Sequence, residues 1–243
     1  MFANQLLVII NSPQNISSML GRNQIREVIQ EDTGVFQIKS IVASFKGDEP
    51  YCGAPAIFVN FGGCNLACNF CDTDFEDFID MKNDEIIQKI NGLSLNNQGK
   101  RVRNLVVLTG GEPLRQPISH LCNLIVDQGF AVLIETNGTI FRNISPKCEI
   151  LISPKNTGSG YSFIRDDLLR RAIAIKFVIS KSHPLYQKVP DIGQSRYNTK
   201  VYLQPMDEFD IIKNLNNLQY ILEIAEETGY YYNIQTQKII GLS

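Results

Sequence analysis

Gly63-Cys64-Asn65-Leu66-Ala67-Cys68-Asn69-Phe70-Cys71-Asp72-Thr73 places three cysteines at C-x3-C-x2-C spacing, directly after the apolar run Ile57 to Phe61. Three thiolates fall one short of the closed tetrahedral set that structural zinc prefers. A cubane iron–sulfur cluster held by three cysteines instead leaves one iron open to a small molecule. The open iron is where chemistry could occur.

Working outward, the chain has 243 residues, a length that suits one domain, including a barrel of βα units. With 44% hydrophobic residues, 20% charged residues and a net charge of -2, the sequence carries no polyanion-binding bias, so no direct nucleic-acid partner is expected. The apolar run Leu6 to Ile10 is too short to span a bilayer and lacks the flanks of a signal peptide. The expectation is a cytoplasmic protein with no membrane association. Six cysteines are too few and too clustered for a disulfide scaffold, and the triplet needs a reducing compartment. Cys122 and Cys148 read as small buried hydrophobes. Cys52 leaves one alternative open: a structural zinc site completed across an eleven-residue gap, on an otherwise non-enzymatic binding module.

Residues 1–35, rich in Asn, Gln, Ser and charge, read as an N-terminal extension before a domain spanning residues 36–243. In that domain β-branched runs alternate with helical patterns. The strands are Ile57 to Phe61, Leu105 to Thr109, Ala131 to Thr136, Ile150 to Ser153, Ile173 to Ser180, Val201 to Gln204 and Tyr231 to Gln235. Helices are predicted over Asp84 to Ile90, Ile118 to Gln128 and Leu215 to Thr228; the last should bury Leu218, Ile221, Leu222 and Ala225 and stop at Gly229. The pattern implies a mainly parallel sheet, open or closed into a barrel, with ligands at the C-terminal strand ends.

The unusual polar clusters fall at those ends. After the cysteine loop come Thr109-Gly110-Gly111-Glu112-Pro113, Glu135-Thr136-Asn137-Gly138, Ser153-Pro154-Lys155, Lys176 within its strand, and Gln204-Pro205-Met206-Asp207. The glycines would let backbone groups approach the amine and carboxylate of an amino-acid moiety. His120 and His183 lie outside every motif and are assigned no catalytic role. Asp74, Glu76 and Asp77 read as a solvated acidic face.

The cysteine loop with its downstream Gly-Gly-Glu-Pro resembles the radical S-adenosylmethionine enzymes. More of the chain, from Phe36 onward and through Gln235-Thr236-Gln237-Lys238, is similar to the 7-carboxy-7-deazaguanine synthase family. The resemblance implies a modified partial (β/α)6 TIM-type barrel and a homodimer. It implies conversion of 6-carboxy-5,6,7,8-tetrahydropterin to 7-carboxy-7-deazaguanine and ammonia, a radical ring contraction that feeds queuosine synthesis for tRNA.

It further implies a 4Fe-4S cluster on Cys64, Cys68 and Cys71, S-adenosyl-L-methionine, Mg2+ on Thr73, and a low-potential electron donor, flavodoxin or ferredoxin. By the same resemblance S-adenosylmethionine contacts fall on Phe70, Cys71, Asp72, Gly111, Ser153, Pro154, Lys155, Gln204, Pro205, Met206 and Asp207. Substrate contacts fall on Phe45, Lys46, Gly47, Asn60, Thr109 and the Ser243 carboxylate. The chain departs from the family on the substrate side. Lys46-Gly47-Asp48-Glu49 replaces Gln-Gly-Glu-Gly, Asn60 stands where the family has a carboxylate-clamping arginine, and Gln237 replaces a histidine. Two readings follow: Lys46 supplies the missing charge for the family's substrate, or the enzyme acts on a different carboxylated heterocycle.

Overall fold

The computed structural model describes residues 23–241 except 69 and 72. The expected contacts at Asp72 and Ser243 lie outside the described residues. The chain forms an open, mixed nine-stranded sheet in the order β3-β1-β2-β4-β5-β6-β7-β8-β9. The parallel run comprises β2 (Pro55–Phe61), β4 (Leu105–Gly110), β5 (Ala131–Thr136), β6 (Cys148–Ile152), β7 (Ala172–Ile179), β8 (Lys200–Pro205) and β9 (Tyr231–Tyr232). Two strands not set out by the periodicity, β1 (Val35–Phe45) and β3 (Ile79–Lys82), join antiparallel at one edge. β9 covers only two of the five residues expected for the last strand.

Three helices match the apolar spacing. α1 (Asn83–Ser94) starts where the Glu85 carboxylate accepts the Lys82 N–H at 2.7 Å, and it buries Ile86 and Ile90. α2 (Ser119–Asp127) buries Leu121, Cys122 and Ile125 against the sheet, with Cys148 beside them in the same core. Short α3 (Asp166–Arg171) and α4 (Gln194–Tyr197) follow before the long α5 (Ile211–Thr228).

α5 begins a turn earlier than its apolar run because Asp210 accepts the N–H groups of Ile212 and Lys213, at 2.9 and 3.1 Å. Gly229, at φ +73°, ends it as expected. Its buried stripe differs from expectation: Ile221 is buried and Leu222 is 39% exposed. Asn217 occupies a buried position because its amide bonds the Met206 carbonyl and the Lys181 N–H. α6 (Thr236–Ile240) closes the described chain.

Side chains alternate across each strand, and this period of two builds the interior. Ala56, Val107, Leu133, Leu151, Ala174 and Tyr202 form an apolar layer on the concave face. Two residues further along the same strands, or just past their ends, Phe58, Thr109, Glu135, Ser153, Lys176 and Gln204 form the next layer and line a cavity. The opposite face carries the helix-covered cores around Val106, Leu108 and Ile134 and around Ile152, Phe177 and Leu203. No helix among the described residues is long and apolar enough to cross a membrane.

Candidate active site

The cavity at the C-terminal strand ends has a volume of about 330 Å3. Its wall includes Cys64, Cys68 and Cys71, together with Phe70, Thr73, Thr109, Gly111, Ser153, Lys155, Gln204, Met206, Asp207 and Lys46, so most of the residues singled out in the sequence converge here. Phe45, Gly47, Asn60, Pro154 and Pro205 do not line it. Phe45 is 49% exposed at the end of β1. Asn60 donates its amide N–H to the Ser40 hydroxyl, its neighbour across to β1, at 2.9 Å. Pro154 is buried in the backbone of its loop, and Pro205 is the last residue of β8.

The cysteine loop is held by its neighbours' backbones. Gly111 donates to the Phe61 carbonyl at 3.0 Å, and Glu112 donates its N–H to Gly63 at 3.1 Å. A Cβ on Gly111 would lie 1.9 Å from the Gly63 carbonyl oxygen, so the immediate need for glycine there is loop-on-loop packing. Gly111→Ala should therefore displace the cysteine loop and cost about 1–3 kcal/mol, seen as a lower denaturation midpoint with reduced iron uptake. An unchanged midpoint would remove this reading.

The fully buried Glu112 carboxylate accepts the N–H groups of Leu114 and Asn137 and the Thr136 hydroxyl, at 2.9, 2.7 and 2.7 Å. Burial pushes its carboxyl above the ordinary range, and those donors oppose the rise. Asn137 in turn donates to Asn65 at 2.9 Å, which ties the end of β5 to the cysteine loop. Phe70 stacks edge-on against Tyr186 at 4.8 Å and packs with Met206 and Val178. Lys155 donates to the carbonyl and hydroxyl of Ser153, at 2.6 and 2.7 Å. Burial lowers its pKa, and the nearby cysteine charges work against that shift.

Thiol electrostatics fit a bound cationic group. Burial, with the charges of Glu112 and the other two cysteines, pushes Cys64 up to about 12, and burial also raises Cys68. Three thiolates on one wall repel one another unless a cation sits between them. Among the described residues no three His, Cys, Asp or Glu side chains come close enough to hold a single ion. Cys52 is exposed elsewhere, its sulfur 3.7 Å from the Gly47 carbonyl and 3.8 Å from the Thr236 hydroxyl.

Four ionic side chains form the cavity's other wall. Lys46 pairs with Asp48, and with Glu135 at 2.8 Å; Lys176 pairs with Asp48, and with Glu135 at 3.7 Å. Burial alone would raise the Asp48 carboxyl, yet the lysines hold it well below the usual carboxylate range. Burial alone would lower Lys176, yet Asp48 and Glu135 hold it well above the usual lysine value. Of these, only Lys46 was expected as a site residue. Glu135 and Lys176 were visible as polar strand-end residues, whereas Asp48 carried no separate signal.

Across the mouth, the Gly47 carbonyl accepts both the N–H and the hydroxyl of Thr236, at 2.8 and 2.7 Å. A Cβ on Gly47 would lie 1.8 Å from the Gln237 side-chain oxygen. Lys238 pairs with Asp207 at 2.8 Å; burial would raise the Asp207 carboxyl, and Lys238 brings it below its ordinary value. Asp74 and Glu76, expected on a solvated face, pair with Lys39 and Arg26. His120 and His183 line no part of the cavity.

The Radical SAM superfamily profile matches residues 60–153. A 7-carboxy-7-deazaguanine synthase from Rickettsia prowazekii is 43% identical over 96% of this chain and 100% of its own length. The chain belongs to the 7-carboxy-7-deazaguanine synthase family. A second family member, from Rhodospirillum rubrum, is 37% identical over 67% of the chain and 66% of its own length. Crystalline QueE from Escherichia coli superposes with a TM-score of 0.65 over 83% of this chain and 94% of that one at 21% identity, which bears on the fold. Membership in the 7-carboxy-7-deazaguanine synthase family makes this a radical S-adenosylmethionine lyase, with a 4Fe-4S cluster and S-adenosylmethionine implied.

Proposed function

We propose that this enzyme converts 6-carboxy-5,6,7,8-tetrahydropterin to 7-carboxy-7-deazaguanine and ammonia. The carrying observation is that one cavity joins the three thiols to a buried set of two lysines and two carboxylates. Cys64, Cys68 and Cys71 would hold the cluster, and the Ser153–Lys155 and Gln204–Asp207 stretches would hold S-adenosylmethionine. When bound, the cluster supplies the one electron that turns S-adenosylmethionine into a source of the hydrogen-abstracting radical.

The chain's own residues bind and orient. An aminopyrimidinone edge offers N–H donors to Asp48 and Glu135, while its carboxylate competes for Lys46 and Lys176. Phe58 supplies an apolar surface for the rings. Thr73, exposed on the cavity wall, is the proposed Mg2+ ligand; a hydroxyl suits this hard cation. The family resemblance also supports a cytoplasmic homodimer reduced by a flavodoxin or ferredoxin.

Lys46 is not a free charge awaiting the substrate. It already neutralises Asp48 and Glu135, so Lys46→Ala leaves those carboxylates sharing one lysine and makes the cavity more negative. A carboxylated substrate should then show a KM raised about tenfold or more, the effect of losing a charge-assisted contact worth about 1.5–3 kcal/mol. An unchanged KM removes Lys46 from substrate recognition.

Anaerobic turnover with the pterin, S-adenosylmethionine, Mg2+ and a chemical reductant tests the whole proposal. Deazaguanine product with 5′-deoxyadenosine is the expected result. Deoxyadenosine without product would favour the reading in which the enzyme acts on a different carboxylated heterocycle. No deoxyadenosine would overturn the radical assignment.

A further inference from the structure

The segment before β1 carries a contact that the proposed reaction does not use. Asn23, only 7% exposed, directs its amide N–H group at the Cys71 sulfur, 3.5 Å away, and at the Thr73 carbonyl, 2.7 Å away. Its amide oxygen accepts the Phe75 N–H at 2.8 Å. The backbone that carries it is fastened along the same loop. Ile25 bridges Cys64, Arg26 donates its N–H to the Cys64 carbonyl at 2.8 Å, and its guanidinium pairs with Glu76. Further on, Ile29 donates to the Arg115 carbonyl at 2.8 Å, and Arg115 donates back to Glu27 at 3.0 Å. Residues 23–29 therefore touch the cysteine loop near its first and last cysteines.

We infer that residues 23–29 are a strap over the cysteine loop, in which Asn23 is a positioning residue that sets the cluster's reduction potential through Cys71. This rests on the proposal that Cys71 is a cluster ligand. One-electron reduction adds negative charge that spreads onto the ligand sulfurs, and an N–H directed at such a sulfur stabilises the reduced form more than the oxidised one. The segment thus makes the cluster easier for its low-potential donor to reduce.

The test uses the full chain, reconstituted anaerobically and titrated by EPR at controlled potentials. Asn23→Ala should retain iron and sulfide while its reduced-to-oxidised ratio at a fixed potential falls about threefold or more, equivalent to about 30 mV for a one-electron couple. Asn23→Asp keeps an acceptor for Phe75 but replaces the N–H donor with a negative charge, so it should fall further. Potentials unchanged in variants with full iron content would overturn the inference. Should both variants lose iron, the wild-type protein decides. Substituting asparagine labelled with 15N at its side chain must then alter the pulsed-EPR spectrum of the reduced cluster, and must do so also in Asn137→Asp, since the Asn137 amide lies 4.0 Å from the Cys64 sulfur; a spectrum unaltered in either protein overturns the role. Cys71→Ala separates the underlying reading: full retention of the native cluster there would refute Cys71 as a ligand, whatever Asn23 does.

Discussion

Glu112→Ala should unfold the apo-protein about 3–5 kcal/mol more easily and prevent the folded remainder from retaining iron. The carboxylate is fully buried, and truncation orphans the N–H groups of Leu114 and Asn137 with the Thr136 hydroxyl. A buried donor left without an acceptor costs about 1–3 kcal/mol, and the space vacated by the carboxylate adds to that cost. The effect reaches the thiols through Asn137, which holds Asn65 in the cysteine loop. Glu112→Gln preserves one acceptor oxygen and should lose roughly half as much. Denaturant unfolding of the two apo-variants, followed by iron quantitation after reconstitution, checks this; a loss below about 1 kcal/mol in the alanine variant would remove Glu112 as the tie between loops.

Asp48→Ala should be comparably severe for a different reason. Lys46 and Lys176 would face only Glu135, leaving an excess positive charge in an enclosed place, and breaking a buried ion pair costs about 3–5 kcal/mol. The pH dependence has a definite sign. The folded-state Asp48 pKa lies below its unfolded value, so the stabilisation is fully present above an unfolded pKa of about 3.9 and is lost as pH falls towards the folded value. The wild-type apo-protein should therefore weaken below about pH 4, and Asp48→Ala should flatten that part of the profile while lowering stability at neutral pH. Equal acid slopes in the two proteins would show that Asp48 does not carry the linkage.

The contrast between these residues explains what was legible in the sequence. The parallel strands from β2 to β8 were legible because each is built around a short apolar run, and the polar groups at their ends project into the cavity by simple alternation, whereas β9 keeps only Tyr231–Tyr232 of the expected stretch. Glu112 stood out within its motif, although only the fold shows that it ties two loops together. The four-ion wall was not legible as a unit. Lys46 and Lys176 are far apart in sequence and lie on or beside strands with four others between them in the sheet, and only their projection into one cavity brings their charges to the same carboxylates. β3 did not declare itself because Ile79-Asp80-Met81-Lys82 is half charged, and Asn217 broke the apolar pattern of α5 because its amide serves backbone groups outside the helix. Asn23 lay in a polar stretch set apart from the domain by composition, and composition carries no information about a three-dimensional contact.

The Gly47–Thr236 tie spans 189 positions of the chain, which imposes an order on biosynthesis. A ribosome makes the cysteine loop well before Lys155, Lys176, Gln204 and α6, yet these later residues complete the walls and mouth around the thiols. Chains emerge at about 5–20 residues per second, so there is an interval of many seconds in which the thiols have no finished enclosure. A chain halted before residue 236 could pair its early strands but could not seal the mouth across Gly47. Enclosure of the three thiols therefore waits on the chain that supplies Lys155, Lys176, Gln204 and Gln237, and until that stretch is made the nascent cysteines stand without those walls.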